Sequence, residues 1–157
     1  MKLIAGDYAN QAVPKWVAER IPFVGDRGFG ACTAIGVIGN DGRPLAGIVF
    51  HDYQPTFSTI CFSIAADSPR WVTRRLIGSI LVYPFEELKL KKLWTATPHR
   101  NERALRLAKG LGFTREAVLA HHFGKEHAVI NRMFFKDYIR LYGVKSGNRQ
   151  DESSAAA

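Results

Sequence analysis

The sequence predicts a mixed α/β fold, with a mostly antiparallel central sheet of six to seven strands flanked by helices. Strand-length apolar segments occur as a run of three joined by short turn signals, and later as a pair joined in the same way. Between them lie segments whose apolar residues recur at helical spacing. The resulting order is strand, helix, three-strand meander, helix, strand, helix and two strands, which is a mixed layer architecture. A chain of 157 residues suits a single core, expected over residues 1–143. Residues 144–157 are polar and low in complexity, and are expected to be a disordered tail.

Each element follows from its residues. Residues 1–5 make a short opening strand. A helix is expected over 10–20, with Val13, Trp16, Val17 and Ile21 on one face and Pro14 in its first turn. Breakers Pro22, Gly25 and Gly28 then mark a loop. Residues 29–38 and 44–53 read as strands joined by the hairpin signal Asn40-Asp41-Gly42. A third strand covers 57–65. Asp67-Ser68-Pro69 opens a helix over 70–88, where Asp67 or Ser68 caps it, Pro69 suits the first turn and Pro84 bends its end. A strand over 92–97 leads to a helix over 101–111, and strands over 113–122 and 127–135 follow, with residues 138–142 as an end-piece.

Composition narrows the function classes. The net charge is +8, from 22 Lys and Arg against 14 Asp and Glu. Such a balance suits nucleic acid or a highly anionic small cofactor. The positive residues are spread over helices as Arg70, Arg74, Arg75, Lys89, Lys91, Lys92, Arg100, Arg103, Arg106 and Lys109, with no dense basic arm. No apolar run reaches membrane-spanning length and no signal-peptide pattern follows Met1, so a cytoplasmic protein without a membrane partner is expected. Cys32 and Cys61 have no close Cys or His spacing that suggests zinc, and are expected to be free thiols with no metal site. The chain contains no P-loop and no Gly-x-Ser-x-Gly nucleophile elbow.

The most informative stretch is 101–113. Ala104, Leu105, Leu107, Ala108 and Leu111 form an apolar stripe, with Arg103, Arg106 and Lys109 opposite. Gly112 is a left-handed helix stop, and Phe113 its hydrophobic contact. Before it stands the strand Leu93-Trp94-Thr95-Ala96-Thr97, then Pro98-His99-Arg100-Asn101. Strand, Pro-x-x-Asn, basic helix, Leu-Gly-Phe, strand resembles the coenzyme A side of the GNAT N-acetyltransferase superfamily, of which this chain looks like a divergent member. The element order over roughly residues 1–140 is similar to that of the family as well.

The resemblance implies a transferase, an acyltransferase that moves an acetyl group from acetyl-coenzyme A (acetyl-CoA) directly to an acceptor amine. It places the pyrophosphate at the start of the helix after the meander, where free N–H groups and the positive helix end attract anions. Two registers compete for the family's loop pattern. Arg75-Leu76-Ile77-Gly78-Ser79 matches four-fifths of it, but ends in Ile80 where the family has a small residue, and is expected inside a helix already begun. Counting back from Phe85-Glu86-Glu87-Leu88 sets Ser68-Pro69-Arg70-Trp71-Val72-Thr73 in the loop. That register is preferred, with Ser68, Arg70, Thr73, Arg74 and Arg75 as side-chain donors in place of the family's glycines. A capped helix with a solvated basic face is the bland alternative.

Asn101 is implied as a pantetheine contact, and also reads as the helix N-cap. Arg100, Arg103 and Arg106 are candidates for the adenosine 3′-phosphate, or solvated charges. The family's thiol-protonating Tyr is replaced by Ala108, and Tyr83 is a substitute only if the bent helix turns it inward. For the base, Asp52 and His51 close the second meander strand, while His99, His121 and His122 flank the cleft; a water relay is an equal alternative. Strand alternation allows at most one of each adjacent pair to point inward. The runner-up is a catalytically degenerate GNAT-fold binding module with nucleic-acid association. A homodimer paired through the final strand is a further expectation.

Overall fold

Seven strands pair in the order β1-β2-β3-β4-β5-β7-β6 in the computed structural model, which describes residues 1–143. The tail expected at 144–157 lies outside those residues. The strands are β1 (Lys2–Ile4), β2 (Thr33–Ile38), β3 (Pro44–Gln54), β4 (Thr59–Ala66), β5 (Lys92–Pro98), β6 (Thr114–Phe123) and β7 (Glu126–Phe134). The helices are α1 (Asp7–Ala18), α2 (Arg74–Val82), α3 (Glu102–Leu111) and α4 (Phe135–Tyr142). Every neighbouring pair is antiparallel except β4 with β5. That parallel pair needs a crossover, and α2 supplies it.

Strand alternation divides the sheet into two faces. Ile48 and Phe50 of β3, with Ile60 and Phe62 of β4, bury one face against Ile77, Ile80 and Leu81 of α2, Leu111 of α3 and Tyr138 of α4. Val49 of β3 and Ala65 of β4 face the other way, onto Ala9, Val13 and Val17 of α1. Gly36 and Gly47, paired across β2 and β3, let α1 lie close. A Cβ on Gly47 would stand 2.6 Å from a Val17 methyl and 2.9 Å from one of Val13, and a Cβ on Gly36 would stand 2.8 Å from Ile4.

Several boundaries differ from expectation, each for a physical reason. Helix α1 begins at Asp7, three residues early, so Pro14 lies inside the helix and not in its first turn. Each fully buried aliphatic side chain on the sheet-facing stripe contributes about 1.5–3 kcal/mol, and together Val13 and Val17 offset a proline cost of about 3 kcal/mol. The helix after the meander begins at Arg74, four residues late. Trp71 is the cause: it is 1% exposed, and a 3₁₀ turn over Pro69–Trp71 drives it into the core ahead of the helix. Asp67 does not cap; its carboxylate takes two hydrogen bonds from Arg20, at 2.8 and 3.0 Å. At the other end, Pro84 lacks the N–H that a continuing α-helix needs, and the chain widens into a π turn over Tyr83–Glu87. Finally, β7 is enclosed between β5 and β6, so the edges of the sheet are β1 and β6, and the final strand is not one of them.

Candidate functional site

The parallel pairing of β4 and β5 is short. It covers Thr59–Lys92, Ile60–Leu93 and Cys61–Trp94, then stops, although both strands continue. Beyond that point β4 is held by β3 as far as Ala66, and β5 by β7 as far as Pro98. Each strand follows its outer partner, and the inner edges diverge into a V. Backbone N–H and C=O groups along those edges are left for a ligand to satisfy. Cys61 sits at the vertex, where its thiol donates to the Phe62 carbonyl at 3.8 Å and burial pushes its pKa up, so it is a neutral packing group.

Helix α2 starts on one side of this V. Thr73 caps it, its hydroxyl accepting the Leu76 N–H at 3.2 Å, which leaves the Arg74 and Arg75 N–H groups at the helix start. Ser68 accepts the Arg70 N–H at 3.3 Å and so closes the preceding 3₁₀ turn. The segment preferred from sequence for the phosphates is therefore the non-helical approach to a helix N-terminus. In the competing register, Gly78 faces α4: a Cβ there would meet the Tyr142 ring at 3.6 Å, an ordinary contact. Arg74 and Arg75 border a groove of about 580 Å³ between α2 and α4, closed by Tyr138 and Tyr142. Burial pushes the Tyr142 hydroxyl up, and the charge of Arg74 pulls it back.

Two arginines in the first turn of α2, with no acidic residue there, oppose the helix dipole. Each like-signed charge at a helix end costs about 0.3–1 kcal/mol. Among the described residues, Arg70, Arg74, Arg75, Arg100 and Arg103 form no ion pair, whereas Arg106 pairs with Glu102 at 3.6 Å. Asn101 caps α3, accepting the Ala104 N–H at 3.1 Å, and its amide N–H groups remain available. Both helix starts thus carry unpaired cations.

On the α1 face of the sheet the vertex of the V carries a polar chain. His51 Nδ1 lies 2.8 Å from an Asp52 carboxylate oxygen, and its Nε2 lies 2.9 Å from the Ser63 hydroxyl. Simple alternation would send His51 and Asp52 to opposite faces. The β3–β4 register shifts between His51 and Gln54, and Asp52 takes φ 51°, so the bulge turns its carboxylate back onto His51. The Phe29 ring stands 5.2 Å from that of His51, and Phe23 stacks on Phe123 at 4.6 Å. The segment after α1 therefore spans from β3 to β6 and crosses over the V on this face.

The other sequence candidates are placed elsewhere. Tyr83 packs its ring on Phe50 at 5.1 Å, against the core, and Ala108 is buried in that core. His99 accepts the His127 N–H at 3.2 Å, and His127 accepts the His121 N–H at 2.9 Å, which ties the β6–β7 hairpin to the end of β5. Two further polar residues carry only a weak sequence signal: Ser63, and Asn131, which is 6% exposed with an amide nitrogen that has no partner among the described residues. Their signal is a polar residue inside an apolar strand, Phe62-Ser63-Ile64 and Ile130-Asn131-Arg132-Met133.

No protein-family model matches the chain, and no curated protein matches it. Solved structures do. A chimera of the spermidine N-acetyltransferase SpeG from Vibrio cholerae and hSSAT overlays with a TM-score of 0.70 at 15% identity, covering 88% of this chain and 99% of that one. A dodecameric spermidine N-acetyltransferase from Vibrio cholerae gives 0.68 at 17% identity, over 88% of this chain and 95% of its own. The ribosomal-protein-S5-alanine acetyltransferase of Vibrio fischeri gives 0.59 at 16% identity, over 68% and 63%. With seven strands in this order, one parallel pair and a V at its open end, the protein has the GNAT N-acetyltransferase fold.

Proposed function

We propose that this protein is an N-acetyltransferase that moves an acetyl group from acetyl-CoA directly to an acceptor amine. The observation that supports it most is the divergence of β4 and β5 beside a helix N-terminus that carries two unpaired arginines. An anion bound there satisfies free N–H groups and offsets the misplaced positive charge together. Ser68, Arg70, Thr73, Arg74 and Arg75 are the residues assigned to the pyrophosphate, with Asn101 on the pantetheine arm and Arg100, Arg103 and Arg106 nearest the adenosine phosphate. The residues fit this ligand through side-chain donors, since the Ser68–Thr73 stretch holds no glycine.

In this scheme the thioester lies in the V, where unpaired β4 backbone donors hold its carbonyl oxygen as charge develops. The acceptor enters from the α1 face, under the segment that bears Phe23 and Phe29. Its nitrogen attacks the carbonyl carbon, the C–S bond breaks, and coenzyme A leaves as the thiol. The structures it resembles are named for acetylating a polyamine and a protein alanine, which sets the first amines to try.

Calorimetric titration with acetyl-CoA tests this proposal. The native protein is expected to bind it, and Arg74→Glu with Arg75→Glu is expected to weaken binding at least tenfold, with an unchanged circular-dichroism spectrum. Absence of binding by the native protein contradicts the assignment. A second reading, a catalytically degenerate binding module with nucleic-acid association, is favoured by one observation: Ala108 and Tyr83 leave no tyrosine acid at the V. It predicts cofactor or nucleic-acid binding without turnover, the latter falling steeply with salt.

A further inference from the structure

We propose that Ser63, His51 and Asp52 form a proton relay serving the acceptor amine, with Ser63 as the group that touches it. This rests on the acetyltransferase proposal above and adds the residues that deprotonate the nucleophile. The three side chains are linked end to end, by 2.8 Å from Asp52 to His51 Nδ1 and 2.9 Å from His51 Nε2 to the Ser63 hydroxyl. The relay uses the neutral imidazole, whose one proton lies on Nδ1 towards the Asp52 carboxylate and whose Nε2 is then the acceptor. The Ser63 O–H must then donate to His51. Its lone pairs are then free to accept an N–H from an incoming amine.

Position supports this assignment. Ser63 lies two residues beyond Cys61, the last β4 residue paired with β5, so it stands just inside the V. It faces the side covered by α1 and by the segment bearing Phe29, away from the arginines of α2. Ser63 and His51 are half-buried, with the His51 side chain 14% exposed, so an amine reaches Ser63 while bulk water is mostly kept from the imidazole. The bulge at Asp52 puts its backbone in the left-handed region, at φ 51°. Here it produces one contact, the carboxylate on His51.

The step balances as follows. The amine nitrogen bonds to the thioester carbon as its proton moves to Ser63 Oγ, and the Ser63 proton moves to His51 Nε2. Asp52 holds the resulting imidazolium. The C–S electrons leave with sulfur, and the proton returns from His51 through Ser63 and solvent to the thiolate. Ser63 is the catalytic residue; His51 and Asp52 act through it.

The test compares the native enzyme with Ser63→Ala, His51→Ala, Asp52→Asn and the Ser63→Ala/His51→Ala pair. Acetyl-CoA affinity is measured by calorimetry. Turnover is measured with spermidine, an alanine-terminated peptide and hydroxylamine. The relay predicts that Ser63→Ala and His51→Ala each lower kcat about 10²–10⁴-fold, the range of a positioned acid–base group, with acceptor KM within about twofold. The pair is expected to fall no further than either alone, because the residues act as a unit. Free imidazole is expected to restore His51→Ala in part, and Asp52→Asn, which still tolerates the left-handed backbone, to lose less. Unchanged kcat, additive losses, or a stable acetyl group on Ser63 after incubation with acetyl-CoA overturns the relay while leaving the acetyltransferase assignment intact. A native protein that binds no acetyl-CoA, or binds it and acetylates none of the three amines, overturns both.

Discussion

At the scale of single residues, the site depends on groups that ordinary strand geometry does not place. Asp52 reaches His51 only because its backbone turns left-handed, and no residue in Phe50-His51-Asp52-Tyr53 signals that bulge. Alternation alone therefore gave the wrong relation between the two side chains. Ser63 carries little sequence signal for a similar reason, since one hydroxyl in an apolar strand is usually a satisfied core group. Asn131 is the opposite case, a buried amide nitrogen with no partner among the described residues. An orphaned buried donor costs about 1–3 kcal/mol. Asn131→Leu, which keeps the branching and the number of heavy atoms, is therefore expected to raise the melting temperature of the ligand-free protein. A lower melting temperature in calorimetry would show that the amide is satisfied in solution.

At the scale of elements, packing decides what local preference leaves open. The glycine pair under α1 is required by close approach, not by turn geometry, so nothing in a strand sequence marks it. Gly47→Ala is expected to destabilise by about 1–3 kcal/mol, the usual cost of overpacking, read from urea unfolding; a neutral result would mean that α1 moves away freely. The late start of α2 has the same origin, because Trp71 enters the core ahead of the helix. Stop signals were easier to read: Gly112 ends α3 at φ 99°, and Asn40-Asp41-Gly42 turns β2 into β3, as their residue types imply. Between α1 and the end of β4, the Arg20 guanidinium bonds to Asp67 and holds its carboxyl below the usual carboxylate range. A lowered folded value means that this link stabilises above the ordinary pKa of Asp and is lost as pH falls through the folded one. The gap in melting temperature between the native protein and Asp67→Asn should be small, since the pair is exposed, and should close in acid. A gap that widens in acid would contradict the assignment.

At the scale of the whole molecule, element order and the 101–113 block carry enough information for the fold. The V is a property of pairings far apart in sequence. β3 draws β4 one way while β7 draws β5 the other, and no single segment records the divergence. Charge behaves similarly: +8 is visible in the composition, but the arginines acquire meaning only once they stand unpaired at helix starts beside the V. Acetyl-CoA binding should therefore weaken with added salt, and Arg43→Ala, on the exposed β2–β3 turn, should change it less than Arg74→Ala; equal effects would point to diffuse attraction in place of a built site. The central claim, that the V and the start of α2 together hold acetyl-CoA, is tested most directly by a crystal structure of the protein soaked with it. The expected density places the pyrophosphate on the Arg74 and Arg75 N–H groups and the thioester between Cys61–Ser63 and Trp94–Ala96, with Ser63 facing the open acceptor side. Cofactor bound elsewhere, or a V left empty at saturating acetyl-CoA, would contradict it.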